Sequence, residues 1–157
     1  MSGEGAPDLP VDATGMTVAL VSASWHAEIM AGLRQGATRA AEESGARAVE
    51  FEVPGSFELA VVAAQCASSG QFDAIVALGV VIRGGTPHFE YVCSAATQGL
   101  TEVSVQYRIP VGFGVLTCDN IDQAKDRAGL PGSREDKGAE AMASALRTAA
   151  VLASIRA

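Results

Sequence analysis

The sequence lacks several features that mark common classes of protein. It has no run of basic residues, and 18 acidic against 11 basic residues give it a net charge of -7, which makes nucleic acid and anionic membranes poor partners. Its only cysteines, Cys66, Cys93 and Cys118, are widely spaced and form no CxxC pair. This pattern predicts small apolar fillers in a cytoplasmic protein, with no disulfide framework and no metal site. No apolar stretch approaches the roughly 18 residues of a membrane-spanning helix.

Other missing patterns argue against whole classes of enzyme. The chain has no GxGxxG motif, no Ser-His-Asp order and no suitably spaced pair of carboxylates, which disfavours dinucleotide enzymes, triad hydrolases and glycosidases. With 157 residues, 48% of them hydrophobic, the chain suffices for one well-filled core. We therefore predict one domain over residues 16–157, preceded by a polar, flexible arm at 1–15. The arm has neither the basic cluster nor the apolar segment of a signal peptide.

Apolar runs alternate with segments of helical periodicity along the chain. This alternation is typical of βαβ units and predicts an α/β fold with a parallel sheet. The helix after the second strand has Ser56 as a candidate cap and Leu59, Val62, Ala63 and Cys66 as its inner face, and the last helix has Ser133 with Asp136 as a candidate capping box. The predicted strands cover 17–21, 48–53, 74–82 and 111–117, and the other helices cover about 27–44, 88–104 and 120–128.

The stretch from Asp73 to Tyr91 carries the strongest functional signal. Its apolar run over 74–82 predicts a strand covered on both faces, and the run ends abruptly in Arg83-Gly84-Gly85-Thr86-Pro87-His88. Two glycines let the backbone turn so that N–H groups converge on an anion, and a helix that starts near Pro87 adds its positive end. Such a place suits a phosphate. His88 beside it belongs to the residue type that exchanges protons most readily near neutrality.

Other residues at the carboxyl ends of the strands allow two interpretations each. Trp25, the only tryptophan, either stacks on a planar heterocycle or closes the end of the core. His26 beside it is more often a surface residue. The segment 54–58 opens a helix, and its polar groups are more often caps than ligands. Arg127 and Lys137, taken alone, are solvated charges at helix ends.

Taken together, five motifs in order closely resemble the lumazine synthase family, over nearly the whole chain after the first dozen residues. The resemblance implies a flavodoxin-like three-layer αβα fold with a four-stranded parallel sheet, in which the N-terminal arm can add an edge strand from or to a neighbouring subunit. The motifs are Ser24-Trp25-His26, Val53-Pro54-Gly55-Ser56-Phe57-Glu58, ALGVVIRGGTPHF over 77–89, PVGFGVLT over 110–117, and Asp126-Arg127-Ala128-Gly129 with Lys137-Gly138.

The resemblance also implies a reaction. A transferase would condense 5-amino-6-(D-ribitylamino)uracil with 3,4-dihydroxy-2-butanone 4-phosphate to 6,7-dimethyl-8-ribityllumazine, with release of phosphate and water, at the penultimate step of riboflavin biosynthesis. It needs no cofactor or metal. The substrate amine is the nucleophile, so most of the acceleration is expected from holding two substrates together. His88 would move protons during imine formation and phosphate elimination.

The binding residues that the resemblance implies form two sets. In the family a neighbouring subunit completes the pocket, so that Phe113, Arg127 and Lys137 would come from the next chain. The ribitylaminouracil set is Trp25, Ser56, Phe57, Glu58, Val80, Val81, Ile82, Phe113 and Lys137, and the butanone phosphate set is Gly85, Thr86 and Arg127.

The resemblance further implies a homo-oligomer, since the family builds pentamers and some members assemble twelve of them into an icosahedral shell. Segment 130–136 is slightly longer and more acidic than the short turn of shell-forming members, which favours a free pentamer. Three alternatives stay open: a protein that binds riboflavin or lumazine without turnover, a flavodoxin-like FMN carrier, and a structural shell. The carrier would need a longer phosphate loop after the first strand, and the intact site residues disfavour the other two.

Overall fold

The computed structural model describes residues 10–156 and shows strands and helices alternating along them. Apolar, β-branched runs form the strands, and segments with a 3.6-residue period form the helices. No helix in this part of the chain is long and apolar enough to cross a membrane. The elements are β1 Thr17–Ala23, α1 Ala27–Glu43, β2 Arg47–Val53, one 3-10 turn Ser56–Glu58, α2 Leu59–Ser68, β3 Ala74–Ile82, α3 His88–Tyr107, β4 Val111–Cys118, α4 Ile121–Lys125 and α5 Lys137–Arg156.

The four strands form one parallel sheet in the order β2-β1-β3-β4. The predicted α/β fold with a four-stranded parallel sheet is therefore confirmed. Strands β2 and β4 are the two edges, and β3 lies in the middle of the sheet. Because all four strands run the same way, their carboxyl ends meet at one edge, where open α/β folds bind their ligands.

Side chains leave the sheet on both faces and fill two hydrophobic cores. Leu20 and Val76 point to one face, where α1 and α5 cover them. Val21 and Ile75, one residue along each strand, point to the other face and pack with residues of α2 and α3. This alternation follows from the two-residue period of a strand. The helices on both faces hold the carboxyl edge of the sheet in place.

The three cysteines are free thiols. Cys66 and Cys118 are buried in opposite cores, and Cys93 is half-buried on α3. Burial raises the pKa of each of the three thiols above its ordinary value. Such thiols hold little of the reactive thiolate form at neutral pH, so their placement fits apolar fillers.

Strand β3 extends past its neighbour β1 at the carboxyl edge of the sheet. Pairing between β1 and β3 ends at Ser22 and Leu78, whereas pairing between β3 and β4 continues to Ile82 and Cys118. On its β1 side, the backbone of residues 79–82 therefore has no strand partner among the described residues. We call residues 79–82 the β3 overhang. Its open side can offer peptide N–H and C=O groups to a ligand, while β4 holds the other side rigid.

The start of the last helix differs from the prediction. Helix α5 begins at Lys137, and its cap is Asp136, whose Oδ1 accepts a hydrogen bond from the backbone N of Ala139 at 2.9 Å. Ser133 lies in the preceding turn, where its hydroxyl accepts from the backbone N of Leu130 at 2.9 Å. The predicted Ser133 cap is therefore wrong. An ionised carboxylate is a stronger acceptor than a hydroxyl, and the turn leaves Asp136 closer to the helix.

The predicted N-terminal arm, residues 1–15, lies partly outside the described residues, which begin at residue 10. Its last part, 10–15, contacts the domain. Ala13 is buried and donates its backbone N–H to the carbonyl of Ser44 at 2.8 Å. Val11 packs against the core under α1 and α5. Residues 10–15 form no strand within this chain.

Candidate active site

A groove of about 290 Å³ lies at the carboxyl edge of the sheet. Its walls come from the residues after β1, the turn before α2, the β3 overhang and the start of α3, and we call it the sheet-end groove. It contains the predicted catalytic residue His88 and every predicted ribitylaminouracil residue except Phe113 and Lys137. The lining residues are Trp25, His26, Gly55, Ser56, Phe57, Glu58, Val80, Val81, Ile82, His88 and Val92.

Two aromatic side chains on the walls of this groove face solvent. Trp25 is 67% exposed and Phe57 is 65% exposed, although rings of this size are usually well buried. The indole Nε1 of Trp25 lies 3.7 Å from the position that a Cβ of Gly55 would occupy. The carboxylate of Glu58 accepts a hydrogen bond from the backbone N of Gly55 at 2.9 Å and holds this turn. The alternative in which Trp25 closes the end of the core is therefore wrong.

Ser56 is a buried polar residue in the wall of the groove. Its side chain is 6% exposed, and its hydroxyl has no hydrogen-bond partner among the described residues. The hydroxyl lies so close to β3 that a Cβ on Gly79 would come within 2.4 Å of it. The predicted capping role of Ser56 is wrong, because the 3-10 turn begins at Ser56 itself and Glu58 bonds the preceding N–H. An unsatisfied buried hydroxyl costs about 1–3 kcal/mol, so a partner in the groove would stabilise it.

The loop 83–87 leads from the β3 overhang into α3, which begins at His88. Gly84 and Gly85 both have negative φ, and no atom lies within 4 Å of the position of a Cβ at either residue. The two glycines were expected to let the backbone turn, but the turn uses no positive φ at either residue and so does not depend on glycine. What the glycines leave is space. Open main chain, the hydroxyl of Thr86 and the N-terminus of α3 together form an arrangement that suits an anion.

The cation nearest to this loop, Arg83, already has two partners. Its Nε donates to Oδ1 of Asp119 at 2.9 Å, and its Nη1 donates to the carboxylate of Glu90. Hydrogen bonds to Asp119, the larger effect, and to Glu90 raise the pKa of Arg83. Arg83 in turn holds the pKa of Glu90 below its ordinary value. One positive and two negative charges leave this cluster negative, so it supplies no net positive charge for a phosphate.

A second groove, of about 430 Å³, runs along the edge strand β4 between α3 and α5. We call it the β4-edge groove. Phe113, which is 46% exposed, and Lys137 both line it. The two grooves share no lining residue. Within one chain, Phe113 and Lys137 are therefore separated from the other predicted ribitylaminouracil residues and from His88. The β4-edge groove is lined by Ser104, Pro110, Val111, Gly112, Phe113, Lys137, Glu140, Ala141, Ser144, Ala145 and Thr148.

A short antiparallel bridge places Arg127 beside Lys137. Ala128 pairs with Asp136, and the backbone N of Lys137 donates to the carbonyl of Arg127 at 2.9 Å. Helix α4 ends at Lys125 rather than near residue 128 as predicted, because the bonds that follow are turn bonds to the third residue back, from Arg127 N to Ala124 O at 3.1 Å and from Ala128 N to Lys125 O at 3.3 Å. Arg127 is therefore held next to the β4-edge groove by main-chain bonds.

These two cations differ in their partners. The ammonium of Lys137 lies 2.5 Å from the carboxylate of Glu135 and 2.7 Å from that of Glu140. Burial alone would lower the pKa of Lys137, but hydrogen bonds to the two carboxylates outweigh it and leave the pKa above its ordinary value. Arg127 donates to the carbonyl of Gln123 at 2.8 Å and forms no ion pair among residues 10–156. Of the two, Arg127 is the one without an ion pair in this part of the chain, although the carboxylates of Asp126 and Glu135 lie close enough to interact with its charge.

His26 is a groove residue that sequence reasoning missed. It was expected at the surface, yet it is half-buried and lines the sheet-end groove. It precedes α1 with a φ of 61°, which is uncommon for a residue other than glycine, and its ring centre lies 6.5 Å from that of Trp25. The available signal was its position after the only tryptophan, at the carboxyl end of a strand. The chain has two histidines, and both line this groove.

Comparison with known proteins identifies a family for this chain. A family model described as 6,7-dimethyl-8-ribityllumazine synthase matches residues 15–153. The chain belongs to the 6,7-dimethyl-8-ribityllumazine synthase family. Residues 15–153 include every residue that lines either groove, so the lumazine synthase family match covers both halves of the predicted site.

Individual relatives agree with the family match. The 6,7-dimethyl-8-ribityllumazine synthase of Kineococcus radiotolerans is 62% identical over 156 residues, which cover 99% of this chain and 96% of the relative. That of Pseudarthrobacter chlorophenolicus is 60% identical over 97% of this chain and 98% of its own length. That of Streptomyces avermitilis is 59% identical over 99% and 97%. The lumazine synthase resemblance drawn from the motifs is confirmed.

Proposed function

We propose that this protein condenses 5-amino-6-(D-ribitylamino)uracil with 3,4-dihydroxy-2-butanone 4-phosphate to give 6,7-dimethyl-8-ribityllumazine, phosphate and water. This is the penultimate step of riboflavin biosynthesis, and we place it in the cytoplasm. The observation that carries the proposal is the sheet-end groove, where an open strand edge, two exposed aromatic rings and His88 face the same space. That groove occurs in a chain of the lumazine synthase family.

The ribitylaminouracil is assigned to the part of the groove between Trp25 and β3. The open side of the β3 overhang, over Val80, Val81 and Ile82, carries peptide N–H and C=O groups that match the N–H and C=O groups on the edge of a uracil ring. The exposed face of Trp25 stacks on the ring. Segment 56–58, with Ser56, Phe57 and Glu58, holds the ribityl chain. The hydroxyl groups of the ribityl chain would give the unpartnered hydroxyl of Ser56 a hydrogen-bond partner.

The butanone phosphate is assigned to the loop before α3. Gly85 and Thr86 leave open main chain and a hydroxyl at the helix N-terminus, where the aligned peptide dipoles favour a negative group. His88 is the first residue of that helix. It takes a proton from the substrate amine as the amine attacks the ketone carbonyl, and it returns a proton to the oxygen that leaves as water. Such proton transfer contributes about 10²–10⁴-fold in rate.

A neighbouring copy of the chain is proposed to complete the site. Support comes from the separation of the two grooves within one chain, because Phe113, Arg127 and Lys137 lie at the β4 edge, away from His88. Arg127, which forms no ion pair among the described residues, suits the phosphate. Lys137, already paired with two carboxylates, suits the hydroxyls of the ribityl chain, and Phe113 adds a second stacking face. The active form is then a homo-oligomer.

A free pentamer is the assembly we favour. The turn over 130–136 is longer here than the corresponding turn of the family members that form shells. Its residues bond within the same chain. Ser133 bonds the backbone N of Leu130 at 2.9 Å, and Nε of Arg134 bonds Asp126 at 2.6 Å. Sedimentation should give a mass near five chains of 16.0 kDa. A mass near sixty chains would overturn this assignment.

The test of the reaction is direct. The purified protein is mixed with both substrates, and formation of the lumazine is followed by its green-blue fluorescence, with phosphate release measured in parallel. Equal amounts of lumazine and phosphate are expected. If the protein binds lumazine or riboflavin but forms neither product, the protein is a ligand-binding member of the family and the proposal is wrong.

A further inference from the structure

Arg83 joins three elements at the rim of the sheet-end groove. It is the first residue after β3, and its backbone N donates to the carbonyl of Cys118 at 2.9 Å, at the end of β4. Its Nε bonds Asp119, the residue after β4, at 2.9 Å, and its Nη1 bonds Glu90. Its Cζ lies 4.3 Å from the centre of the Phe89 ring. Phe89 and Glu90 belong to the first turn of α3, directly after His88.

The first turn of α3 has few other hydrogen bonds to hold it, and its residues are not buried. In the loop that leads into it, nothing lies within 4 Å of the Cβ positions of Gly84 and Gly85. The hydroxyl of Thr86 lies 3.5 Å from the backbone N of His88, which is at the limit of a hydrogen bond. The buried residues of α3 begin only at Ala96. Among the described residues, the side chain of Arg83 is therefore the only one that joins the first turn of this helix to the ends of β3 and β4 by hydrogen bonds.

We propose that Arg83 is a positioning residue that fixes His88, and with it the helix N-terminus at the phosphate site, through Phe89 and Glu90. The inference rests on the proposed function, since it concerns the same site. We call Arg83, Phe89, Glu90 and Asp119 the Arg83 clamp. A guanidinium suits this task because its planar fork donates in fixed directions to two carboxylates and stacks on a ring. A lysine ammonium has the same charge without the fork.

The charges of the clamp argue against a purely electrostatic role. The clamp carries two carboxylates against one guanidinium, and a net negative charge beside the loop repels a phosphate. If charge alone mattered, removal of one carboxylate would improve phosphate binding. If geometry matters, removal of the same carboxylate releases the first turn of α3 and slows the chemical step. The two roles therefore predict opposite results for Glu90→Gln.

The test compares Glu90→Gln and Arg83→Lys with the wild-type oligomer. We expect kcat to fall about tenfold or more in both, because small displacements of a catalytic group have large effects on rate. The melting temperature should stay close to that of the wild type, because exposed ion pairs contribute little to stability. Arg83→Lys keeps the charge and should not rescue kcat. Glu43→Gln, the same change at the exposed end of α1, is the matched control and should leave kcat unchanged.

A second measurement makes the outcome independent of activity. The backbone amides of residues 92–95 bond the carbonyls of the first turn of α3, so a released first turn should exchange their hydrogens faster in both variants. Wild-type kcat in both variants, a lower KM for the butanone phosphate without loss of kcat in Glu90→Gln, or unchanged exchange at 92–95 would overturn the clamp. If the wild type itself forms no lumazine, the proposed function fails, and the exchange data alone decide on the clamp.

Discussion

His88 and Arg127 are the two side chains on which the proposed chemistry depends most directly, and they lie at different places in the chain. His88 begins α3 at the sheet-end groove. Arg127 lies next to the β4-edge groove, bonded through its carbonyl to Lys137. Because one residue moves protons and the other binds charge, their replacement should affect different kinetic constants.

The variant His88→Ala should lower kcat by about 10²-fold or more, the range of proton-transfer catalysis. KM for both substrates should change little, because the β3 overhang, Trp25 and the phosphate loop remain. Steady-state kinetics with each substrate varied in turn measures both constants. His26→Ala, which removes the other histidine of the groove, serves as the comparison and should reduce kcat less. Unchanged turnover in His88→Ala would remove His88 from the mechanism.

The variant Arg127→Ala should raise KM for the butanone phosphate by about tenfold or more, since a hydrogen bond to a charged group contributes about 1.5–3 kcal/mol. KM for the ribitylaminouracil should stay within a few-fold. Arg134→Ala is the control, because Arg134 lies on the same turn but is paired with Asp126 at the surface. If both substrates weaken equally in Arg127→Ala, the phosphate role is wrong.

At the scale of elements, the packing of α5 on α1 depends on a glycine. A Cβ on Gly138 would lie 2.0 Å from the carbonyl oxygen of Leu33. Gly138→Ala should therefore force the helices apart at a cost of about 1–3 kcal/mol and lower the melting temperature by several degrees. Gly84→Ala, where the Cβ position is open, should leave it unchanged. Equal melting temperatures for the two variants would contradict the packing argument.

The turn before α5 should make stability depend on pH. The hydrogen bond from Lys137 holds the pKa of Glu135 below its usual 4.5. Below about pH 4.5 the unfolded chain therefore binds a proton at Glu135 that the folded chain does not. The stabilisation of the fold by ionised Glu135 is complete above that pH, and it disappears as the pH falls through the pKa of the folded chain. Glu135→Gln should flatten the decline of the urea midpoint between about pH 5 and pH 3. If the urea midpoint of Glu135→Gln falls as steeply with pH as that of Glu43→Gln, Glu135 is not the source of this pH dependence.

The order of the elements could be predicted from the sequence because its signals are local. Apolar runs bounded by Gly and Pro define the strands, and Pro87 with His88 marks the start of α3. The N-terminal caps were harder, since Asp136 and Glu58 prevail over nearby serines in a competition between acceptors that only the folded turn decides. The β3 overhang was not predictable from any pattern, because it depends on where β1 ends relative to β3.

The site was predictable to a similar degree. The position of His88 at the start of α3 followed from residue types, and the phosphate site before it stays a prediction. The glycines in that loop leave space rather than permit a turn. The sequence left two interpretations of Trp25 open, stacking on a ligand or closing the core. The exposure of its ring depends on which residues the fold places over it. The division between two grooves came only from the family resemblance, because no spacing in the sequence reports which residues lie at the β4 edge.

At the scale of the whole molecule, the proposed division of the site predicts that two impaired variants partly restore each other at substrate concentrations well below KM. In a ring where His88 of one chain meets Arg127 of the next, an equal mixture of His88→Ala and Arg127→Ala has both native residues at about a quarter of its sites. Co-refolding of the two proteins should therefore restore about a quarter of the wild-type rate. The rate of the mixture against that of each variant alone is the measurement.

The control for this experiment uses two residues from the same groove. Trp25 and His88 line the sheet-end groove of one chain, so a mixture of Trp25→Ala and His88→Ala contains no site with both native residues. It should show no gain over the separate variants. A gain in this control, or none in the first mixture, would mean that the site is not divided between chains as proposed.

The recognition that we propose for the β3 overhang is of a kind that mutation can hardly remove. Every amino acid carries the same peptide C=O, and every one except proline carries the N–H. Replacement of Val80, Val81 or Ile82 by another side chain therefore leaves the hydrogen-bonding edge intact, and an alanine scan of these positions would report only the lost apolar contacts. Substitutions in this strand can therefore change how well a ligand fits in the groove, but they leave the ring edge that the groove is proposed to accept unchanged.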